Sequence, residues 1–331
     1  MPEVSSRYFL SESILSYWYI KSKLRSGFFS DSYTNSECCN LFDTRLKQTL
    51  DAGIFAITGE IGSPRGADHK LVIERTKLIA DYCDAINITD NARGIPTMSS
   101  TACAHIVLEA GAEPIMQLST RDRNRISIES ELYGVYALGI RNILFITGDR
   151  MIVGSHSEAK MVFDIDSIQA LQLSSHLMQG MNLDGEELEG TPQFFMGSTF
   201  NPYADSIETE IHRAEKKRDA GASFFQTQAI FDTDRLESFM DLARDLELKV
   251  LAGVIPLRGP KNARFMNANV PGIEIPEEYV RRLETAGKGL KEDAERNALR
   301  EEGLLIELEI IKSIRKIKGI DGLHFMGKGW E

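Results

Sequence analysis

The stretch Ile54-Phe55-Ala56-Ile57-Thr58-Gly59-Glu60 reads as one short β-strand that ends on a carboxylate. Seven further runs of this kind follow, over residues 85–90, 113–119, 142–147, 193–200, 223–229, 249–255 and 322–326. Between them lie longer stretches of helical period, over 69–81, 101–110, 125–138, 166–179, 206–220, 234–246 and 294–317. Strands that alternate with helices in this way form βα units and a parallel sheet. Eight of them predict an α/β fold of one kind, a (β/α)8 TIM barrel. Gly111, Gly139, Gly221 and Gly319 each follow a helical stretch and precede a strand, where a left-handed helix end is cheap only for glycine. The helix ends are thus marked independently of the strands.

The barrel is expected over residues 46–331, with residues 1–45 as an N-terminal helical extension. The last strand ends about five residues before the end of this sequence, and no eighth helix is expected after it. Two segments, 8–24 and 42–52, are available to pack on the barrel exterior and cover that strand. The acidic stretch 182–190 reads as an excursion before the fifth strand.

At 331 residues and 42% hydrophobic composition the chain can bury a full core. A net charge of -11 opposes a nucleic-acid footprint and a polybasic membrane patch. The four cysteines, Cys38, Cys39, Cys83 and Cys103, contain no Cys-x-x-Cys pair, so neither a disulfide framework nor an iron–sulfur cluster is written here. Residues 1–7 lack a basic start followed by an apolar stretch, and no run reaches about 18 apolar residues. A soluble, cytoplasmic protein is expected.

In a parallel barrel the C-terminal strand ends converge on one mouth, where such folds place their chemistry. Glu60 stands at such an end, before the loop Gly62-Ser63-Pro64-Arg65-Gly66. Among apolar strand residues it is suited to deliver a proton near neutral pH; the alternative is a loop carboxylate paired with Arg65. Asp149 follows Gly148 at the end of the fourth run, where the glycine would let a ligand ring approach the backbone. A fixed negative charge there would tune an electron-accepting ring or a cationic intermediate; the alternative is a helix N-cap. Gln226 and Gln228 alternate with Thr227, which places both amides on one face. An amide offers donor and acceptor together and suits a heterocycle such as a pterin, or else it is a satisfied barrel-interior group.

Thr89, Asp90, Gln117, Arg121, Asn124 and Asn201 complete the strand tips with polar groups and no nucleophile. The six histidines, His324 among them, pair with no elbow serine and show no metal-ligand spacing. Lys217 lies within a helix and Lys249 begins a strand, which disfavours a Schiff-base role for either.

Several short motifs in order resemble the methylenetetrahydrofolate reductase family, flavin-dependent (β/α)8 barrels. They are Thr58-Gly59-Glu60, Asn87-Ile88-Thr89-Asp90, Gly139-Ile140-Arg141-Asn142 running to Thr147-Gly148-Asp149, Asp219-Ala220-Gly221-Ala222 running to Thr227-Gln228, and Gly319 to Phe325. The resemblance implies reduction of 5,10-methylenetetrahydrofolate to 5-methyltetrahydrofolate, with Glu60 as the general acid and hydride from a reduced flavin. By the same resemblance Asp149 lies near flavin and folate, and Gln228 contacts the pterin. Thr89, Gln117, Gly148, Asp149, Phe163, Asp166, Asn201 and Lys217 then fall where the family binds a non-covalent flavin, FAD or FMN.

The chain departs from the better-known bacterial reductases at Gln117, at Asn201-Pro202 and at Thr147, where they carry histidine, histidine-proline and arginine. Residues 121–125 and 162–167 resemble instead the branch found in acetogens and related anaerobes, in which a cysteine-rich second subunit often works beside the reductase. This chain has no cluster ligands and no Gly-x-Gly-x-x-Gly fingerprint after a strand. Electrons must therefore arrive from outside, from NAD(P)H or from a cluster-carrying partner subunit, and an oligomer or hetero-complex is expected. Residues 8–29, rich in aromatics, offer a docking surface for that partner or a helix that covers the barrel. The competing function is a pterin-binding barrel that transfers a methyl group without redox chemistry.

Overall fold

The computed structural model describes residues 43–149, 156, 158–270 and 272–327. The segments 8–24 and 8–29, expected as a cover or docking surface, lie outside these residues, as does nearly all of the expected 1–45 extension. The elements run α1 (Arg45–Asp51), β1 (Ala56–Ile61), α2 (His69–Ile79), β2 (Ala85–Ile88), α3 (Ser100–Glu109), β3 (Pro114–Ser119), α4 (Arg125–Ala137) and β4 (Asn142–Ile146). They continue with α5 (Ser167–Met178), β5 (Phe195–Phe200), α6 (Ile207–Asp219), β6 (Phe224–Ala229), α7 (Thr233–Leu242) and β7 (Val250–Val254). Last come α8 (Pro260–Asn269), α9 (Glu277–Gly287), α10 (Glu292–Ile314) and β8 (Ile320–Phe325).

The eight strands pair in chain order, all parallel, and close where Ala56 of β1 meets Gly322 of β8. This is the expected (β/α)8 barrel. Closure removes both sheet edges, and the helices cover the outer face, so strands such as β1 and β7 are buried along their whole length. The glycines marking helix ends behave as their spacing requires: Gly111, Gly139 and Gly319 take φ +85° and Gly221 takes φ +113°.

The period of two along each strand divides side chains between the barrel interior and the helical shell. Ala56, Ala85, Ile115, Leu144, Phe195, Phe224 and Leu251 form one interior apolar layer near the strand starts. Phe195 and Phe224 stack there with ring centroids 5.0 Å apart. Gly197 leaves space for this, since a Cβ on it would lie 2.3 Å from the Phe224 ring.

The helix expected over 42–52 forms as α1, but it does not pack on the barrel exterior. Leu46 and Leu50 join the interior layer, so α1 closes the N-terminal opening from below. Glu113, just before β3, accepts the Arg45 and Leu46 backbone N–H groups at 2.5 and 3.0 Å. Asp84, just before β2, faces Arg45 at 3.4 Å and accepts the Ile57 N–H. The physical reason is the chain's own geometry: only four residues separate α1 from β1, and both leucines lie on one helix face. Burial of each leucine contributes roughly 1.5–3 kcal/mol.

The connection from β7 to β8 holds two helices the sequence reading did not separate, α8 and α9, ahead of the long α10. Above the apolar layer the interior turns polar, with Thr58, Asn87, Gln226 and His324 all buried. The chemistry of the mouth stands on this layer.

Candidate functional site

Glu60 lies at the C-terminal end of β1 and is 9% exposed. Its polar neighbours are not the Arg65 of its own loop and not a purely apolar wall. Gln117 reaches it from β3, with Nε2 3.5 Å from Glu60 Oε2, and His324 reaches it from β8, with Nε2 3.7 Å from the same oxygen. The other His324 nitrogen, Nδ1, lies 3.0 Å from Thr58 Oγ1, and the Thr58 hydroxyl donates to the Leu323 carbonyl at 3.3 Å. With its one proton given to Leu323, the Thr58 hydroxyl can accept from an Nδ1–H. In the neutral tautomer with its proton on Nδ1, Nε2 carries the lone pair on the side of the Glu60 carboxyl.

His324 is the residue the sequence reading passed over. Its signal was the period of two in β8, which sets Gly322 and His324 on one face. What made it visible is the closure of β8 against β1, with Thr58 opposite His324 in the register.

Beneath this cluster Asn87 of β2 and Gln226 of β6 join across the barrel through two hydrogen bonds, Asn87 Nδ2 to Gln226 Oε1 at 2.7 Å and Gln226 Nε2 to Asn87 Oδ1 at 3.1 Å. Each amide satisfies the other, so the pair is a floor. Gln226 is therefore the satisfied interior amide, while Gln228, two residues on, is exposed at the rim. The two glutamines do not share one environment, because a β-bulge falls between Gln226 and Ala229.

Asp149 is exposed, and its Oδ2 accepts the Arg93 backbone N–H at 3.1 Å. It holds a neighbouring loop rather than capping its own helix in the described residues. That loop carries left-handed Asn91 (φ +45°) and Arg93 (φ +58°), a conformation costly for non-glycine residues. A buried arginine supports the arrangement. Arg121, 1% exposed, donates from Nη1 to the Asp149 carbonyl at 3.1 Å, from Nη2 to the Asn91 carbonyl at 3.0 Å, and to Asp122 through Nε at 2.8 Å. One guanidinium thus ties the loops after β2, β3 and β4, with Asp122 balancing its charge.

Gly148 sits tightly against the end of β3 and the loop that follows it. At φ +90° a Cβ on it would lie 2.3 Å from Ser119 Oγ and 3.0 Å from Arg121 Cβ. The missing side chain makes room for Ser119 of β3 and for Arg121.

The remaining candidate residues are held within their own elements. Thr89 follows β2 and anchors the loop after β1, its carbonyl accepting from Ser63 Oγ at 2.8 Å. Asp166 caps α5 through a capping box with Gln169. Asn124 caps α4 in the simpler way, accepting from Ser127 N–H. Asn201 follows β5, where its Oδ1 accepts the Tyr203 N–H and its own N–H donates to Glu210. Lys217 extends from α6 to donate to the Thr199 carbonyl of β5 at 2.5 Å, and burial holds its ammonium below the ordinary lysine range despite the nearby Glu210. Lys249 pairs with Asp321 at 3.2 Å, at the N-terminal strand ends and away from the mouth.

Phe163 combines two costs: it is 38% exposed and takes φ +41°. A non-glycine residue held there by its surroundings is a feature of binding loops. Among the described residues no group of three or more His, Cys, Asp or Glu could hold a metal ion, and no helix is long and apolar enough to cross a membrane.

The family model for methylenetetrahydrofolate reductase matches residues 45–328. The chain is similar to methylenetetrahydrofolate reductase 1 of Schizosaccharomyces pombe, 23% identical over 245 residues that make up 72% of this chain and 38% of that protein. It is also similar to a probable NADPH methylenetetrahydrofolate reductase of Caenorhabditis elegans, 25% identical over 191 residues, covering 57% of this chain and 27% of that one. The chain therefore spans about a third of the length of these relatives. Among solved structures, the fold matches an uncharacterized Clostridium thermocellum protein that binds two copies of 5-methyl-5,6,7,8-tetrahydrofolic acid. The TM-score is 0.55 at 17% identity, over 85% of this chain and 91% of that one.

Proposed function

The chain belongs to the methylenetetrahydrofolate reductase family, and from that premise we propose that its barrel mouth reduces 5,10-methylenetetrahydrofolate to 5-methyltetrahydrofolate. The observation that carries this reading is Glu60 at the end of β1, nearly buried and in contact with His324 and Gln117. A carboxyl so placed stands where a bound substrate can reach it, with His324 and Gln117 beside it.

In the proposed reaction the Glu60 proton passes to the folate nitrogen that the bridging carbon leaves. The carbon–nitrogen bond breaks, its electron pair stays on that nitrogen, and the one-carbon unit remains as an iminium on the other nitrogen. A reduced flavin, when bound, supplies the hydride that turns this unit into a methyl group. Asp149 places negative charge near the cationic unit, which favours it electrostatically. Gln228 offers an amide donor and acceptor to the pterin edge.

The rim residues fit a non-covalent flavin. Thr89, Gln117 and Asn201 present hydroxyl and amide groups of the kind a flavin ring and ribityl chain require, and Phe163 presents an exposed ring for stacking. Lys217 offers a cation for a phosphate, and an anion there would offset the cost of its burial. Asp166 and the backbone at Gly148 and Asp149 complete the set. Choice between FAD and FMN rests on residues at which this chain departs from its bacterial relatives. Electrons reach the flavin from NAD(P)H or from a cluster-carrying partner, in an oligomer or hetero-complex of a cytoplasmic enzyme.

Reconstitution tests the reading. The full chain incubated with FAD or FMN should retain a yellow chromophore through gel filtration. When chemically reduced without oxygen, it should convert methylenetetrahydrofolate to methyltetrahydrofolate in equal amount to the flavin reoxidised. A protein that takes up neither flavin yet binds folate would instead support methyl transfer without redox chemistry.

A further inference from the structure

The bulge in β6 is built around one side chain. From Gln226 to Ala229 the chain advances three residues while the paired β7 advances two, from Leu251 to Gly253, so one residue is extra on β6. Such a bulge breaks the ladder and re-aims the strand that carries it. Here the ladder is repaired by Thr227. Its Oγ1 accepts the Gly253 backbone N–H at 2.9 Å and donates to the Gln228 carbonyl at 2.6 Å. The hydroxyl thus stands in for the carbonyl that an unbulged strand would offer to β7, and it fixes the peptide of the next residue. Beyond the bulge the regular ladder resumes, with Ile230 donating to the Gly253 carbonyl at 2.8 Å.

Gly253 is shaped to receive this arrangement. A Cβ on it would lie 2.6 Å from the Thr227 carbonyl oxygen and 2.7 Å from that of Gln228. Both contacts are with backbone, which cannot swing aside, so the two carbonyls lean on β7 only because residue 253 has no side chain. The consequence appears in burial: Gln226, before the bulge, is 2% exposed and paired to Asn87, while Gln228, within it, is exposed at the mouth.

We infer that Thr227 is a positioning residue, whose hydroxyl holds the β6 bulge and thereby presents the Gln228 amide to the folate pterin. This rests on the reading that Gln228 contacts folate. Thr227 itself is 3% exposed and does not touch the substrate in this account. Valine has the same shape and lacks both hydrogen bonds, whereas serine retains the hydroxyl.

The test uses the flavin-reconstituted full chain and measures 5-methyltetrahydrofolate affinity by calorimetry, beside flavin affinity by fluorescence. Thr227→Val should weaken folate binding about 10-fold, the scale of one displaced hydrogen bond, with flavin affinity unchanged. Thr227→Ser should restore binding to within about 2-fold of the native protein, and in a Gln228→Ala background Thr227→Val should add no further loss. If Thr227→Val does not fold, Gly253→Ala, which presses on the same two carbonyls from β7, should give the same folate-selective weakening. Equal losses for valine and serine, or an undiminished Thr227→Val loss in the Gln228→Ala background, would overturn the inference while leaving the folate site in place. Normal folate affinity in Gln228→Ala alone would overturn the underlying reading and the inference with it.

Discussion

Glu60 owes its setting to two side chains that reach it from different strands, His324 of β8 and Gln117 of β3. The hydroxyl of Thr58 orients His324 by its hydrogen bond to Nδ1 at 3.0 Å, so the imidazole faces the carboxyl through Nε2. Replacing His324 by glutamine removes that ring acceptor while keeping a polar group. We expect folate turnover to fall about 10-fold or more, below the span of a full general acid, with flavin affinity unchanged. Turnover equal to the native enzyme would show that Glu60 needs no such neighbour. The placement of Glu60 and Gln228 near strand ends was legible in the sequence because strand ends in a barrel converge by rule. His324 was not, because its partnership exists only once β8 closes on β1. Arg121 read as one more polar loop residue; its burial depends on two carbonyls and Asp122, which no spacing announces.

Among the elements, α10 carries an unusual feature. Glu307 is 4% exposed, and its Oε1 has no hydrogen-bond partner. One turn earlier, a Cβ on Gly303 would lie 2.0 Å from the Leu257 carbonyl oxygen, so this helix packs directly onto the loop after β7. Burial raises the Glu307 carboxyl to about 8, with no charged group contributing. The folded protein then keeps a proton that the unfolded chain releases near pH 4.5. Stability from this group is complete below that value and is lost progressively as pH rises to about 8. Glu307→Leu should flatten the decline between those limits and raise the melting temperature most at the alkaline end. A pH profile parallel to that of the native chain would contradict this.

The same scale shows where patterning was weak. The helices α8 and α9 each bury only two side chains, Ala263 with Met266 and Val280 with Leu283. So sparse an apolar period does not stand out between prolines. The two leucines of α1 gave a helix but not its place, since only the three-dimensional path shows that it turns under the barrel instead of along it.

At the scale of the molecule, one closed barrel organises everything described: an apolar plug at one end, a polar interior layer, and a rim of loops at the other. The alternation of strands and helices made that architecture readable from residue order alone. The family match over residues 45–328 extends across the described barrel and agrees with it. What order alone did not supply were the contacts that cross the barrel, Asn87 with Gln226 and His324 with Glu60, because each joins residues far apart in the chain.

The most direct test follows one turnover. The flavin-reconstituted chain, reduced chemically without oxygen, is mixed rapidly with methylenetetrahydrofolate, and the return of the oxidised flavin absorbance is timed for the native protein and for Glu60→Gln. The account expects full reoxidation by the native protein, and a rate lower by about 10²-fold or more in Glu60→Gln at unchanged flavin and folate affinity. Equal rates in the two proteins would contradict it.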